Sequence, residues 1–124
     1  MIHGFDDSSK DKVEVIESDR IVVKELVTDA IDNNTSTTKT FVLGLNDERC
    51  TPDKMVLIGA IYKRGTNTTW ISAMNTSDDT AKIQVWLTPF SNNKGSAGTM
   101  KLTRNYVSSV KVSYTVKLVF MRVD

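Results

Sequence analysis

The sequence predicts a mainly β protein: an antiparallel, jelly-roll-like β-sandwich head that follows a short N-terminal neck of strand and helix. Apolar and polar residues alternate with a period of two along residues 82–87 and 110–120, which indicates strands with one buried face. Clusters of turn-forming residues separate the strand candidates, at residues 46–48, 64–67, 76–79 and 91–95. Short strands divided by such turns are typical of a sandwich.

Two segments are expected from the change in composition along the 124 residues. Residues 1–37 form the neck. Residues 38–124 form the β-sandwich head domain. Residues 33–40 are rich in Thr, Ser and Asn and predict a linker between the two.

Residues 13–34 fit two alternative structures. Apolar side chains recur there at three- and four-residue steps, as on one face of a helix: Val23, Leu26, Val27, Ala30 and Ile31. Residues 13–15 alternate like a strand, however, and residues 21–23 are β-branched throughout. We favour a short strand followed by a short helix, and the alternative is a β-hairpin that turns at residues 17–19.

The head contains a nearly continuous series of strand candidates, at residues 38–45, 55–63, 69–75, 80–88, 99–103 and 106–123. Residues 55–62 are apolar on both faces and predict a central strand. From residue 118 onward both faces of the last strand are apolar, so the rest of the domain or another subunit should cover them. The candidate subunit interface comprises Val23, Leu26, Val27, Ile31, Val119, Met121 and Val123.

The sequence offers little for catalysis, so we expect no enzyme, no metal site and no cofactor. The single histidine, His3, lies in the polar N-terminal stretch, and the single cysteine, Cys50, can form neither an internal disulfide nor a thiolate zinc cluster. The strand candidates after residue 38 contain no Asp or Glu, which argues against paired catalytic carboxylates. The acidic pair Asp78 and Asp79 suits a tight turn.

Charge and hydropathy exclude several classes of partner. The 16 basic and 15 acidic side chains give a net charge of +1 and alternate in sign, so no basic stripe is present for nucleic acid. The longest apolar run, residues 55–62, is about half the length of a bilayer-spanning helix. Residues 1–12 lack the apolar core of a signal peptide, which predicts synthesis in the cytoplasm without membrane insertion.

Surface recognition is the remaining activity that the composition supports. The candidate ligand-binding residues are of the types that dominate binding hot spots or supply hydrogen bonds beside them: Trp70, Trp86, Arg64, Asn67 and Tyr106. Trp86 falls on the otherwise polar face of its strand, where its ring is available to stack on a sugar. Burial of both tryptophans in the core or at a subunit interface is the alternative.

The opening residues 1–7 (Met-Ile-His-Gly-Phe-Asp-Asp), with Lys10, Lys12 and the alternating residues 13–15, resemble the start of small bacteriophage and prophage virion proteins. These are fibre, baseplate and head-decoration components, in which a short N-terminal peptide precedes a compact β head and trimers are common. The resemblance implies location in a virion, contact with other virion proteins, and attachment and oligomerisation through the neck of residues 1–37.

These observations lead to one functional expectation and two alternatives. We expect a non-enzymatic phage or prophage structural protein, a trimeric tail-fibre, head-fibre or baseplate component whose head binds a receptor or a host cell-surface glycan. A monomeric bacterial carbohydrate-binding module is the first alternative. A ligand-free capsid or tail decoration protein is the second.

Overall fold

The computed structural model describes the backbone of residues 3–6, 12–15, 20–73, 81–105 and 109–123, and side chains from residue 20 onward within these ranges. The described strands are β1 (His3–Asp6), β2 (Lys12–Val15), β3 (Ile21–Val27), β4 (Ser36–Leu43), β5 (Met55–Arg64), β6 (Ile71–Ser72), β7 (Ala81–Pro89), β8 (Ser96–Arg104) and β9 (Tyr114–Arg122). Two short 3-10 helices, Glu48–Cys50 and Pro52–Lys54, connect β4 to β5.

The strands form two antiparallel sheets that pack face to face, which confirms the predicted β-sandwich. The larger sheet has the strand order β1-β2-β3-β9-β5-β6, and the smaller has the order β4-β8-β7. Among the described residues, no helix has the length and apolar character that crossing a bilayer requires.

The core lies between the sheets and draws side chains from both. The rings of Phe41 in β4 and Phe120 in β9 have centroids 6.2 Å apart. In β9 every second residue from Tyr114 to Phe120 is buried, as the alternation of residues 110–120 predicts. Burial of each such large side chain contributes about 1.5–3 kcal/mol. The predicted strand nevertheless starts later than expected, because Val110 is exposed and β9 begins at Tyr114.

The helix expected in the neck is wrong, since residues 21–27 form strand β3. This strand pairs along its whole length with β9, from Ile21 opposite Met121 to Val27 opposite Thr115. Val23 and Val27 are four residues apart, an even number, so they share a face in a strand as well as in a helix. The β-branched residues and the long edge of β9 decide in favour of the strand.

The alternative of a β-hairpin agrees with the antiparallel pairing of β2 with β3, although residues 16–19 lie outside the described part of the chain. The expected linker at residues 33–40 is largely strand, because β4 begins at Ser36. Thr is β-branched and fits a pleated strand, so Thr-rich composition does not distinguish the two. The expected domain boundary after residue 37 falls inside β4, and β3 belongs to the same sheet as β5 and β9.

Strand β5 is central for only part of its length. It pairs with β9 throughout, but on its other side β6 covers only Ile61 and Tyr62 among the described residues. The strand predicted at residues 69–75 is observed as Ile71–Ser72, and residues 74–80 lie outside the part of the chain that the structure describes. On the outer face of the sheet Val56 and Ile58 are exposed, whereas apolar residues on both faces of this segment led us to expect that both faces are covered.

Candidate functional site

Among the described residues, the most exposed aromatic side chain is Trp86, which lies on the outer face of the smaller sheet and is 48% exposed. In β7 the residues that alternate with it, Ile83, Val85 and Leu87, pack against the core. In β8 the alternate residues from Ser96 to Arg104 are buried. The opposite set faces outward, and we name it the Trp86 face: Ser36, Thr38, Thr40 and Val42 from β4, Lys82, Gln84, Trp86 and Thr88 from β7, and Ala97, Thr99, Lys101 and Thr103 from β8.

The strand register arranges the Trp86 face in rows across three strands. Trp86 lies opposite Thr99, and Thr99 lies opposite Thr40. The next row contains Gln84, Lys101 and Thr38, and the row beyond it contains Lys82, Thr103 and Ser36. Neighbouring strands are about 4.8 Å apart, so each row places its side chains within reach of one molecule.

The chemistry of this face combines one flat ring with many neutral hydrogen-bonding groups. Each Thr or Ser hydroxyl donates one hydrogen bond and accepts two, and the Gln84 amide does both. The Trp86 ring presents an electron-rich face that attracts polarised C–H groups. A ligand with one apolar face and many hydroxyls, such as a pyranose sugar, matches this combination.

Trp70 lies on the opposite side of the sandwich. The Nζ atoms of Lys63 and Lys117 are 4.9 Å and 4.8 Å from the centroid of its ring. Both lysines are on the outer face of the larger sheet, and Lys117 also pairs with Glu25 at 4.0 Å. Cation–π contacts of this kind hold the indole in place. Trp70 is therefore half-buried in a local cluster, and the structure separates it from Trp86.

Two other predicted ligand-binding residues, Arg64 and Asn67, do not lie on the Trp86 face. Arg64 ends β5 in the larger sheet and is half-buried beside Tyr114. Burial raises the pKa of Tyr114, and the charges of Arg104 and Arg64 offset this only in part. Asn67 is exposed, and its backbone N–H donates to the Arg64 carbonyl at 3.0 Å. Tyr106 lies outside the described residues.

Among the described residues, no group of three or more His, Cys, Asp or Glu side chains is placed to hold a metal ion. Cys50 is buried; burial raises the pKa of its thiol and the Asp47 carboxylate raises it further, so the reactive thiolate is disfavoured. Two shallow depressions are lined by residues of the 3-10 helices, such as Glu48, and of the neighbouring turns, such as Asn93.

The predicted interface residues fall into two groups. Leu26 and Ile31 are buried in the core of their own chain, so they are not available to a second subunit. Val23, Val27, Val119 and Met121 lie half-buried on the outer face of the larger sheet, and Val123 is exposed beyond it.

Pairing adds residues that the sequence did not single out. Met121 lies between Ile21 and Val56, and Ile58 sits at the β-bulge between Leu57 and Gly59. We name the resulting set the apolar patch: Ile21, Val23, Val56, Ile58, Val119 and Met121.

The residues around Trp86 were also missed by sequence reasoning. Gln84 and Lys82 face outward because of the same alternation along β7 that exposes Trp86. The partners from β4 and β8 follow only from the register, which no local pattern encodes. Comparisons of the chain with models of protein families, with curated proteins and with solved structures gave no match.

Proposed function

We propose that this protein is a non-enzymatic recognition domain that binds a glycan through the Trp86 face. One observation carries the proposal: a half-exposed indole stands in a sheet face whose neighbouring side chains are almost all Thr, Ser, Gln or Lys. A large aromatic side chain that is not packed in the core forfeits the free energy of its burial. Contact with a ligand recovers that free energy.

The sandwich supports binding by fixing the platform. Met100 and Leu102, on the inner side of the central strand β8, are fully buried, so the sheet cannot deform easily. Thr has a restricted χ1 angle, and few rotamers are lost when a ligand orders it. A preorganised surface of this kind loses little conformational entropy on binding.

We further propose that the domain acts as the adhesive head of a trimeric virion component, attached to other virion proteins through its N-terminal segment. The resemblance of residues 1–15 to phage virion proteins supports this placement. The apolar patch supports oligomerisation, because Val56 and Ile58 within it are exposed, and it lies on the side of the sandwich opposite the Trp86 face. Copies joined through the patch would each leave a Trp86 face open, and multivalency would raise avidity.

A glycan array tests the recognition proposal, with Trp86→Ala as the test variant and Trp70→Ala as its matched control. We expect wild type and Trp70→Ala to bind the same glycans and Trp86→Ala to lose them. Equal binding by wild type and Trp86→Ala, or no glycan binding by wild type, would refute the proposal. If light scattering shows a monomer, the trimeric virion component is excluded, and a monomeric carbohydrate-binding module remains as the version of the proposal that fits.

A further inference from the structure

We infer that the ligand of the Trp86 face is an acidic glycan, one whose sugars carry carboxylate or phosphate groups. This inference rests on the proposed glycan binding and specifies its substrate class. Its basis is the charge of the face: Lys82 and Lys101 are the ionisable residues of the Trp86 face, and no Asp or Glu belongs to it.

The positions of the two lysines suit a ligand that stacks on Trp86. Lys101 is opposite Gln84, two residues from Trp86 on the same face, so it is a diagonal neighbour of the indole. Diagonal neighbours are about 7–8 Å apart, a separation that a lysine side chain can span. Lys82 lies one row beyond Gln84 in β7, the strand that contains Trp86. The lysines therefore extend from the ring in one direction, as successive sugars of a chain would.

The surroundings of Lys82 and Lys101 differ from those of two other lysines, Lys117 and Lys111. Lys117 pairs with Glu25 at 4.0 Å and Lys111 pairs with Asp32 at 3.9 Å. Within the part of the chain that the structure describes, neither Lys82 nor Lys101 forms a salt bridge. Within the described structure, both charges are therefore available to a ligand.

The absence of carboxylates on the face also bears on the ligand class. Carboxylates are strong charge-assisted acceptors for the hydroxyls of a neutral sugar, and the Trp86 face has none. Its charge-assisted groups are ammonium donors, which pair with anions. Such exposed pairs are modest in strength and are screened by salt.

Isothermal titration calorimetry at low and high salt tests this inference with four probes: oligogalacturonate for carboxylate, phosphomannan for phosphate, maltooligosaccharide as the neutral sugar, and a single-stranded oligonucleotide as a different polyanion. The variants are Trp86→Ala, Lys101→Gln and Lys82→Gln. The matched control is Lys63→Gln, a lysine on the opposite side of the sandwich.

We expect at least one of the two acidic glycans to bind most tightly, and added salt to weaken it. Lys101→Gln should weaken that binding by about fivefold, the effect of one exposed ion pair, while Lys63→Gln leaves it unchanged. Tighter Trp86-dependent binding of maltooligosaccharide would overturn the acidic ligand but keep glycan recognition. Tighter binding of the oligonucleotide would overturn the acidic glycan in favour of nucleic acid. Absence of binding to every saccharide would overturn both proposals.

Discussion

The guanidinium of Arg104 lies fully buried and donates a hydrogen bond of 2.8 Å from Nη1 to the carbonyl oxygen of Ile31. The same nitrogen donates to the carbonyl of Val110, also at 2.8 Å. One side chain thereby joins the end of β8 to the β3–β4 and β8–β9 connections, both of which run between the two sheets. Hydrogen bonds from a charged group contribute about 1.5–3 kcal/mol each.

Arg104→Ala should therefore destabilise the protein by about 3–5 kcal/mol, because it removes these bonds and leaves a cavity. Urea unfolding followed by circular dichroism measures the loss. Lys101→Ala in the same strand is the control, since its side chain faces outward, and we expect a loss below about 1 kcal/mol. Equal losses in the two variants would show that the Arg104 bonds contribute little.

Gly98 permits the close approach of β8 to Phe41. A Cβ atom built on Gly98 would overlap the Phe41 ring, so Gly98→Ala should destabilise the fold by about 1–3 kcal/mol. The double variant Gly98→Ala with Phe41→Leu should be more stable than the sum of the single losses predicts, since the smaller side chain makes room. Strict additivity in thermal or urea unfolding would contradict the contact.

The two tryptophans should differ in their accessibility to a neutral quencher. Trp86 is 48% exposed, whereas Trp70 is less exposed and lies between two lysines. Acrylamide should quench the fluorescence of Trp70→Phe, which retains Trp86, more strongly than that of Trp86→Phe. Acrylamide is uncharged, so the lysines beside Trp70 do not bias the comparison. The reverse order would place Trp86 in the interior.

Low pH should destabilise the folded protein in part through protonation of the Asp47 carboxylate. Burial raises the pKa of this carboxyl, but the hydrogen bonds and charge of Arg49, with the charge of Arg122, outweigh burial and hold it below its ordinary value of 3.8. A carboxyl with a lowered pKa in the folded state stabilises the protein above the unfolded value, and this contribution disappears as the pH falls through the folded value. Arg49→Gln should therefore move the acid-unfolding midpoint to higher pH, measured by circular dichroism. An unchanged midpoint would mean that the Arg49 contacts do not stabilise the fold.

The apolar patch makes a prediction about assembly. Val56 on the patch and Val42 on the Trp86 face are the same residue type with almost equal exposures, 44% and 43%. Val56→Lys should convert an oligomer to a monomer, because a lysine cannot be buried in an apolar interface without a partner. Val42→Lys should leave the mass unchanged. Light scattering coupled to gel filtration measures the mass of each variant. Dissociation by Val42→Lys but not by Val56→Lys would contradict the proposed interface.

The alternation of apolar and polar residues was sufficient to predict individual strands but not how the strands pair. The alternation around Trp86 and along Tyr114–Phe120 was sufficient to orient these side chains, because one strand encodes its own two faces. It could not place Lys101 beside Gln84, since pairing joins strands that are distant in sequence. The spacing of Val23 and Val27 satisfies both helix and strand, so only the pairing with β9 resolved it. The burial of Arg104 was not foreseen either, because its partners come from remote loops.

The position of β9 between β3 and β5 has a consequence for how the chain acquires its structure. Both neighbours precede β9 in the chain, and Ile21 must find Met121 across most of its length. During synthesis, the edges of β3 and β5 that pair with β9 therefore stay unpaired until β9 emerges from the ribosome. Contacts of such long range form slowly, and open edges invite pairing with other chains. We expect the nascent protein to depend on chaperones, and removal of β9 to produce inclusion bodies instead of a smaller folded domain.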